Sequence, residues 1–238
     1  MTQWGFYFNQ KRCLGCATCT VACKEWNEGR RGDAKLHALG ENSLKKLAEP
    51  KDWKAGTTQK ASNYEYLRSF DMKENWRRVK FFEFGTRAPN VEVVPMSMSC
   101  NHCADPACVK VCPVKAISKE TEFGAVIVDS DKCIGCGACA RACPWGAPQY
   151  FEPLDKTAMG TPEHPHMTKC DMCVDRLRAG LKPACVASCP GRALECGPLE
   201  ELRKLHPDAT FEAVGAPREL VQQTKPSVLY TARKPAVK

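Results

Sequence analysis

The sequence contains no apolar run of the roughly 20 residues that a bilayer-spanning helix takes. Its first ten residues, Met1 to Gln10, carry aromatics and Asn but no apolar stretch of the kind a secretory signal needs. Arg30-Arg31 is a twin-arginine pair in letters alone, because no apolar segment follows it. Aromatic residues are scarce, at 8% of 238 residues, and mean hydropathy is −0.40. Such a chain, long enough for one large domain or two small ones, is poorly supplied for a large apolar core. It also lacks a dense basic stripe with interleaved aromatics, so nucleic-acid binding is not expected.

The chain does have seventeen cysteines. They are too regularly grouped, in too long a chain, for a small disulfide-stapled module. Synthesis in a reducing cytosol, with thiols free to bind metal, is the expectation. Group one is Cys13, Cys16, Cys19 and Cys23, in "RCLGCATCTVACK"; group two is Cys100, Cys103, Cys108 and Cys112, in "SCNHCADPACVKVCP". Group three is Cys133, Cys136, Cys139 and Cys143, in "KCIGCGACARACP"; group four is Cys170, Cys173, Cys185 and Cys189. Groups one and three share gaps of two, two and three residues; groups two and four widen the middle gap to four and eleven. This internal repeat defines the architecture.

The spacing fits [4Fe–4S] clusters. Three Cys two residues apart can wrap one corner of a cube, and the fourth, three residues on, reaches the other cluster of a pair. The fourth Cys of each group should therefore be exchanged between two groups. Pro113, Pro144 and Pro190 follow it in groups two, three and four, whereas Lys24 stands there in group one. Structural zinc would be complete with four ligands and leaves the run and its trailing Pro unexplained. Gly15, Gly135 and Gly137 suit a backbone in close approach to sulfide, or ordinary turns.

Between the groups the pattern is short strand, turn, short helix. Thr2 to Phe8, Gly124 to Asp129 and Ser227 to Thr231 read as strands, and Val79–Phe84 with Val91–Met96 as a hairpin. Cys19–Trp26, Cys108–Cys112 and Ala138–Cys143 suit short helical turns, and Pro198–Leu205 a surface helix. The tail after Arg233 is expected to be loose. The stretch 28–76 lacks Cys and is rich in charge. It carries Trp53, Tyr64 and Tyr66, and reads as a solvated loop or a partner-contacting insert with weak periodicity outside Ser43–Ala48.

From "WGFYFNQKRCLGCATCTVACK", "SCNHCADPACVKVCP", "ACPWGAPQYFEP", "HMTKCDMC", "KPACVASCPGRALECGPLEELRKLHPD" and "TKPSV", the sequence resembles the iron–sulfur B subunits of dimethyl sulfoxide reductase and related molybdopterin oxidoreductases. The resemblance covers about Trp4 to Cys23 and Met96 to the last strand. It implies an α+β fold of two ferredoxin-like units of the bacterial 2[4Fe–4S] type. One unit would join 1–27 to 152–200 and hold groups one and four; the other would span 96–151 and hold groups two and three. The rest is an insert and hairpin (28–95) and a C-terminal extension (201–238). It further implies four [4Fe–4S] clusters, on Cys13, Cys16, Cys19 and Cys189; on Cys170, Cys173, Cys185 and Cys23; on Cys100, Cys103, Cys108 and Cys143; and on Cys133, Cys136, Cys139 and Cys112.

No constellation for substrate chemistry is present, so no catalytic site is expected. The resemblance implies a molybdopterin catalytic subunit and a quinone-reactive membrane anchor as partners in anaerobic respiration. It also implies peripheral attachment to a bacterial inner membrane, the periplasmic face before the cytoplasmic one. A free-standing soluble polyferredoxin is the alternative. The formal charge of +8 counts Cys as neutral; sixteen thiolates on four cores of charge about +2 would contribute roughly −8. The basic excess then compensates buried cluster charge. Cys196, outside every group, reads as a buried apolar residue near group four. His102, His164 and His166 read as neutral and structural.

Overall fold

The computed structural model describes residues 2–28, 75–87, 90–150 and 166–235. Most of the charged insert, with Trp53, Tyr64 and Tyr66, lies outside these residues, as do His164 and the tail 236–238.

The centre of the fold is β1 (Trp4–Asn9), which pairs antiparallel with β8 (Leu194–Pro198) and parallel with β9 (Val228–Thr231). A middle strand has no solvent face, and Phe6, Tyr7 and Phe8 are all buried. Phe6 and Phe8 enter the main core with Met96, Phe123, Leu194 and Tyr230. Tyr7 points the other way, toward Leu202 and Leu229, and its ring stacks on His206 at 3.6 Å. The sheet draws together chain ends far apart in sequence. Cys13 lies just beyond β1 and Cys189 just before β8, so one sheet register fixes both.

The expected hairpin is present as β2 (Arg78–Arg87) and β3 (Asn90–Met98), with an irregularity between Gly85 and Arg87. Its Val94 and Met96 are fully buried, while Phe81, Val91 and Val93 are exposed toward the turn. Two small antiparallel ladders complete the strands. They are β4 (Ile117–Lys119) with β5 (Val126–Val128), and β6 (Gln149–Tyr150) with β7 (Met167–Thr168).

The helices are short because each cysteine run allows little more than a turn. The longest in the cysteine runs, α1 (Thr18–Glu28), places Cys19 and Cys23 four residues apart on one buried face. Pro106 opens α2 (Ala107–Lys110) and Pro183 opens α5 (Ala184–Ala187), each supplying a φ already close to the helical value. Helix α1 packs on α5, and α2 packs on α3 (Ala138–Ala142). Group four also carries α4 (Val174–Arg178), between Cys173 and Cys185.

The C-terminal segment is woven into the body. After α6 (Leu199–Leu205) and α7 (Arg218–Thr224), Lys225 O accepts from Ala104 N–H at 2.8 Å. The Ser227 N–H donates to Asn101 O at 2.9 Å, and its hydroxyl donates to His102 O at 3.0 Å. These bonds brace the group-two loop before β9 joins the central sheet. The expected surface helix is α6, with Leu202 buried on its inner side.

Gly15 and Gly137 both adopt left-handed torsions, φ +70° and +72°. A methyl group on Gly15 would stand 2.6 Å from Phe81 Cε1. Gly15→Ala is therefore expected to lower the stability of the metal-loaded protein by about 1–2 kcal/mol, the cost of a left-handed L-residue. Anaerobic denaturant titration would measure it.

Candidate metal centres

Three cavities of similar size lie inside the fold, with about 300–370 Å³ of empty space each. Cys13, Cys16, Cys19 and Cys189 line the first; Cys100, Cys103, Cys108 and Cys143 the second; Cys112, Cys133, Cys136 and Cys139 the third. In every case three cysteines come from one group and one from another. Cys170, Cys173, Cys185 and Cys23 also come together: Cys23 and Cys173 act electrostatically on Cys170, and Cys185 and Cys23 on Cys173.

Iron would bind these sulfurs as thiolates. Burial first, then the neighbouring sulfurs, pushes the pKa of Cys108 up to about 12. Burial likewise drives Cys103 and Cys173 to about 12, against a hydrogen bond from Thr224 on Cys103 and from the Ala184 backbone on Cys173. Cys13, Cys139, Cys143, Cys170 and Cys185 are also raised, with burial the largest cause. Cys16 is lowered, chiefly by the Thr18 hydroxyl, which donates to its Sγ at 3.4 Å. Sulfurs crowded in this way repel one another once ionised, and a multiply charged metal core relieves that repulsion. They surround a space rather than close on a point. Among the described residues, no group of three or more His, Cys, Asp or Glu is placed to hold one metal ion. That donor set fits a polynuclear iron–sulfur core.

Backbone and side-chain donors reach several of these sulfurs. Ala116 N–H points to Cys112 Sγ at 3.2 Å, Met167 N–H to Cys133 Sγ at 3.3 Å and Ala193 N–H to Cys189 Sγ at 3.3 Å. The Tyr150 hydroxyl lies 3.1 Å from Cys139 Sγ, and the Ser97 hydroxyl 3.3 Å from Cys19 Sγ.

The four sets adjoin one after another. Helix α1 packs on α5 and Cys19 acts on Cys185, which joins the Cys13 set to the Cys170 set. Cys23, Cys100 and Cys170 share one buried cluster with Trp76, which joins the Cys170 set to the Cys100 set. Cys108 and Cys139 share another with Ile117 and Met167, which joins the Cys100 set to the Cys133 set. Cys16 and Cys136 are exposed, at the same position in groups one and three. The neighbouring Leu14 and Ile134 are exposed too.

His102 is buried and accepts from Val126 N–H through Nδ1 at 3.0 Å. Burial first, then Lys169, Arg77 and Lys119, lowers its pKa well below the usual imidazole value, so it is neutral. Cys196 lies in β8 opposite Phe6, partly buried against the main core and within electrostatic reach of Cys185 and Cys173. Sequence reasoning missed Arg77, Arg78 and Lys169, all buried. Nothing in the letters marks them, since Arg77 and Arg78 sit at the end of the charged insert and Lys169 beside a ligand run resembles Lys132 beside Cys133, which is largely exposed.

Comparison with known proteins agrees with the donor chemistry. The "4Fe-4S dicluster domain" family matches residues 91–199, and the "4Fe-4S binding domain" family matches residues 10–26. The B component of anaerobic dimethyl sulfoxide reductase from Escherichia coli (strain K12) is 40% identical over 228 residues, covering 96% of this chain and 88% of its own length. The B component of sulfite dehydrogenase from Allochromatium vinosum is 35% identical over 199 residues, covering 81% of this chain and 68% of its own length. The beta component of perchlorate reductase from Dechloromonas aromatica is 30% identical over 253 residues, covering 92% and 72%. With identity of this order over nearly its whole length, the protein belongs to the family of iron–sulfur B subunits of anaerobic dimethyl sulfoxide reductase, whose members are electron-transfer subunits and not catalytic ones.

Proposed function

We propose that the protein is a four-cluster relay that carries electrons between a molybdopterin catalytic subunit and a quinone-reactive membrane subunit. The observation that carries this reading is the unbroken adjacency of the four cysteine sets, beginning and ending at an exposed cysteine. Each [4Fe–4S] cluster, when bound, accepts and returns one electron. Cys13, Cys16, Cys19 and Cys189 hold the first. Cys170, Cys173, Cys185 and Cys23 hold the second, Cys100, Cys103, Cys108 and Cys143 the third, and Cys133, Cys136, Cys139 and Cys112 the fourth. Electron tunnelling falls steeply with distance, so neighbouring sets that share a packed wall make an efficient path. The exposed ends at Cys16 and Cys136 are where partners exchange electrons with it.

Two ferredoxin-like units follow from the same reading. Groups one and four form one unit, tied by the β1–β8 pairing and by α1 on α5. Groups two and three form the other, tied by α2 on α3 and the β4–β5 ladder. The insert between the units is assigned to partner contact. Among the described residues no helix is long and apolar enough to cross a membrane; attachment to a bacterial inner membrane, on its periplasmic face, is assigned to the partners. The relatives are named as chains or subunits of larger enzymes, which favours this reading over a free-standing polyferredoxin.

Anaerobic purification should give about sixteen iron atoms per molecule, with matching acid-labile sulfide. About eight, or zinc in place of iron, would end the four-cluster reading. Purification from native membranes should also bring down a large molybdenum-containing chain. The ligand exchange has its own test. Cys112→Ser should erase or alter the electron paramagnetic resonance signal of the set containing Cys133, Cys136 and Cys139, and spare the set containing Cys100, Cys103 and Cys108. The reverse pattern would disprove the exchange.

A further inference from the structure

Two buried cations, Arg77 and Lys169, have no acidic partner among the described residues. Each is 2% exposed. Arg77 donates to the Ser97 hydroxyl at 3.0 Å and the Ser99 hydroxyl at 2.8 Å, and its guanidinium lies 4.9 Å from the centre of the Phe6 ring. Its Nε has no hydrogen-bond partner among the described residues. Lys169 donates to the carbonyls of Val126 and Cys170. No described carboxylate lies within ion-pair distance of either cation. A buried charge held by neutral hydroxyls, carbonyls and a ring is left short of compensation. The missing anion must be supplied from within.

The candidates near them are sulfurs. Arg77 lies within electrostatic reach of Cys185, Cys19, Cys170 and Cys23, in that order. Three of these belong to the Cys170 set and one to the Cys13 set. The Ser97 hydroxyl links Arg77 to Cys19 directly. Burial opposes the charge on the guanidinium, yet those sulfurs hold its pKa above the usual value. Lys169 lines the second cavity with Cys100, Cys103, Cys108 and Cys143, and acts on Cys108. The two side chains thus address different sets.

We propose that Arg77 and Lys169 are separate electrostatic controls on the two interior cysteine sets, Arg77 on Cys170, Cys173, Cys185 and Cys23, and Lys169 on Cys100, Cys103, Cys108 and Cys143. The inference rests on the four-cluster reading above. Each reduction adds one negative charge to a centre, and a fixed cation beside it favours the reduced form, so its potential rises. Both residues are positioning residues. They supply a field at the two middle sets of the path. The exposed end sets lean on solvent and partners instead.

The test is a redox titration of the metal-loaded protein followed by electron paramagnetic resonance. Signals are first assigned with Cys173→Ser and Cys108→Ser. Arg77→Gln should shift the midpoint of the Cys170 set to lower potential, move the Cys13 set less, and leave the other two in place. Lys169→Met should shift the Cys100 set downward most, and move the Cys170 set, whose Cys170 carbonyl it also contacts, less. Arg77→Lys and Lys169→Arg, which keep the charge but move it, should give smaller shifts confined to the same sets. No shift, a uniform shift of all four signals, or equal shifts in the charge-keeping and neutral variants would overturn the proposal. Should Arg77→Gln or Lys169→Met lose iron, the equally neutral Arg77→Met or Lys169→Gln takes its place: a downward shift largest at its own set supports the proposal, and no shift or a uniform one refutes it. Iron content of about sixteen per molecule in the unsubstituted protein, measured alongside, separates failure here from failure of the four-cluster reading.

Discussion

The structure depends on holding sulfur at fixed positions, most of it away from water. Apolar side chains alone cannot account for the interior, because among the described residues cysteines sit in three of four buried clusters: Cys19, Cys103 and Cys185 in the largest, Cys23, Cys100 and Cys170 in the second, Cys108 and Cys139 in the third. Burial raises the pKa of Cys103, Cys108, Cys139, Cys170 and Cys185, which favours the thiol, the wrong state for a ligand. Iron binding must expel a proton from each and offset the cost of charging it. The fold is therefore coupled to its metal. Hydrophobic packing brings the sulfurs near one another, and the bonds to iron supply the stability that a core poor in aromatics leaves out.

The charge of the chain takes its meaning from the same coupling. Thirty-five Lys and Arg face twenty-seven Asp and Glu, an excess that a solvated surface would not need. Arg77 and Lys169 are buried with no acidic partner among the described residues, where an uncompensated cation is among the costliest groups a protein can hold. Arg78 directs its Nη2 to the carbonyls of Trp145 and Gly146, which follow Cys143. On the relay reading, Arg77 and Lys169 find their compensation in ligand thiolate. Basic residues here are thus in part interior components, and reading them as a surface signal for nucleic acid or membrane would misplace them.

How far the sequence reveals the protein differs by kind of feature. Cysteine spacing is legible because it is a count along the chain. Strand β1 and the hairpin are legible because Trp4, Phe6 and Phe8, or Val79 and Phe81, leave a periodic trace. The β6–β7 ladder leaves none: two residues on each side pair because the loops around Cys143 and Cys170 meet, and a period cannot be read from a pair. Strand β8, "LECGP", contains Gly and Pro and a charge, and it is a strand only because β1 offers an edge. Short helix α4 sits inside the long gap of group four, and α5 begins at the end of that gap and carries Cys185, where the sequence shows only spacing. Lys169 and Arg77 are illegible for a deeper reason. Charge predicts exposure unless its counter-charge is visible, and here the counter-charge arises only when cysteine loses its proton.

That relation also explains how relatives named for dimethyl sulfoxide, sulfite and perchlorate chemistry can share one kind of subunit. On the relay reading, what passes through is an electron, which carries no trace of the molecule it came from. Nothing inside the path needs to recognise a substrate, so the interior is free to keep one arrangement of sulfur, cation and packed wall. Specificity then falls to the surfaces beside the exposed ends. Leu14 next to Cys16 and Ile134 next to Cys136 are apolar, solvent-facing and otherwise unexplained by the core. Covering them would exclude water from the last set at each end and shorten the final step across the interface. Partner choice and electron exit are in this way one problem, solved at the same few residues.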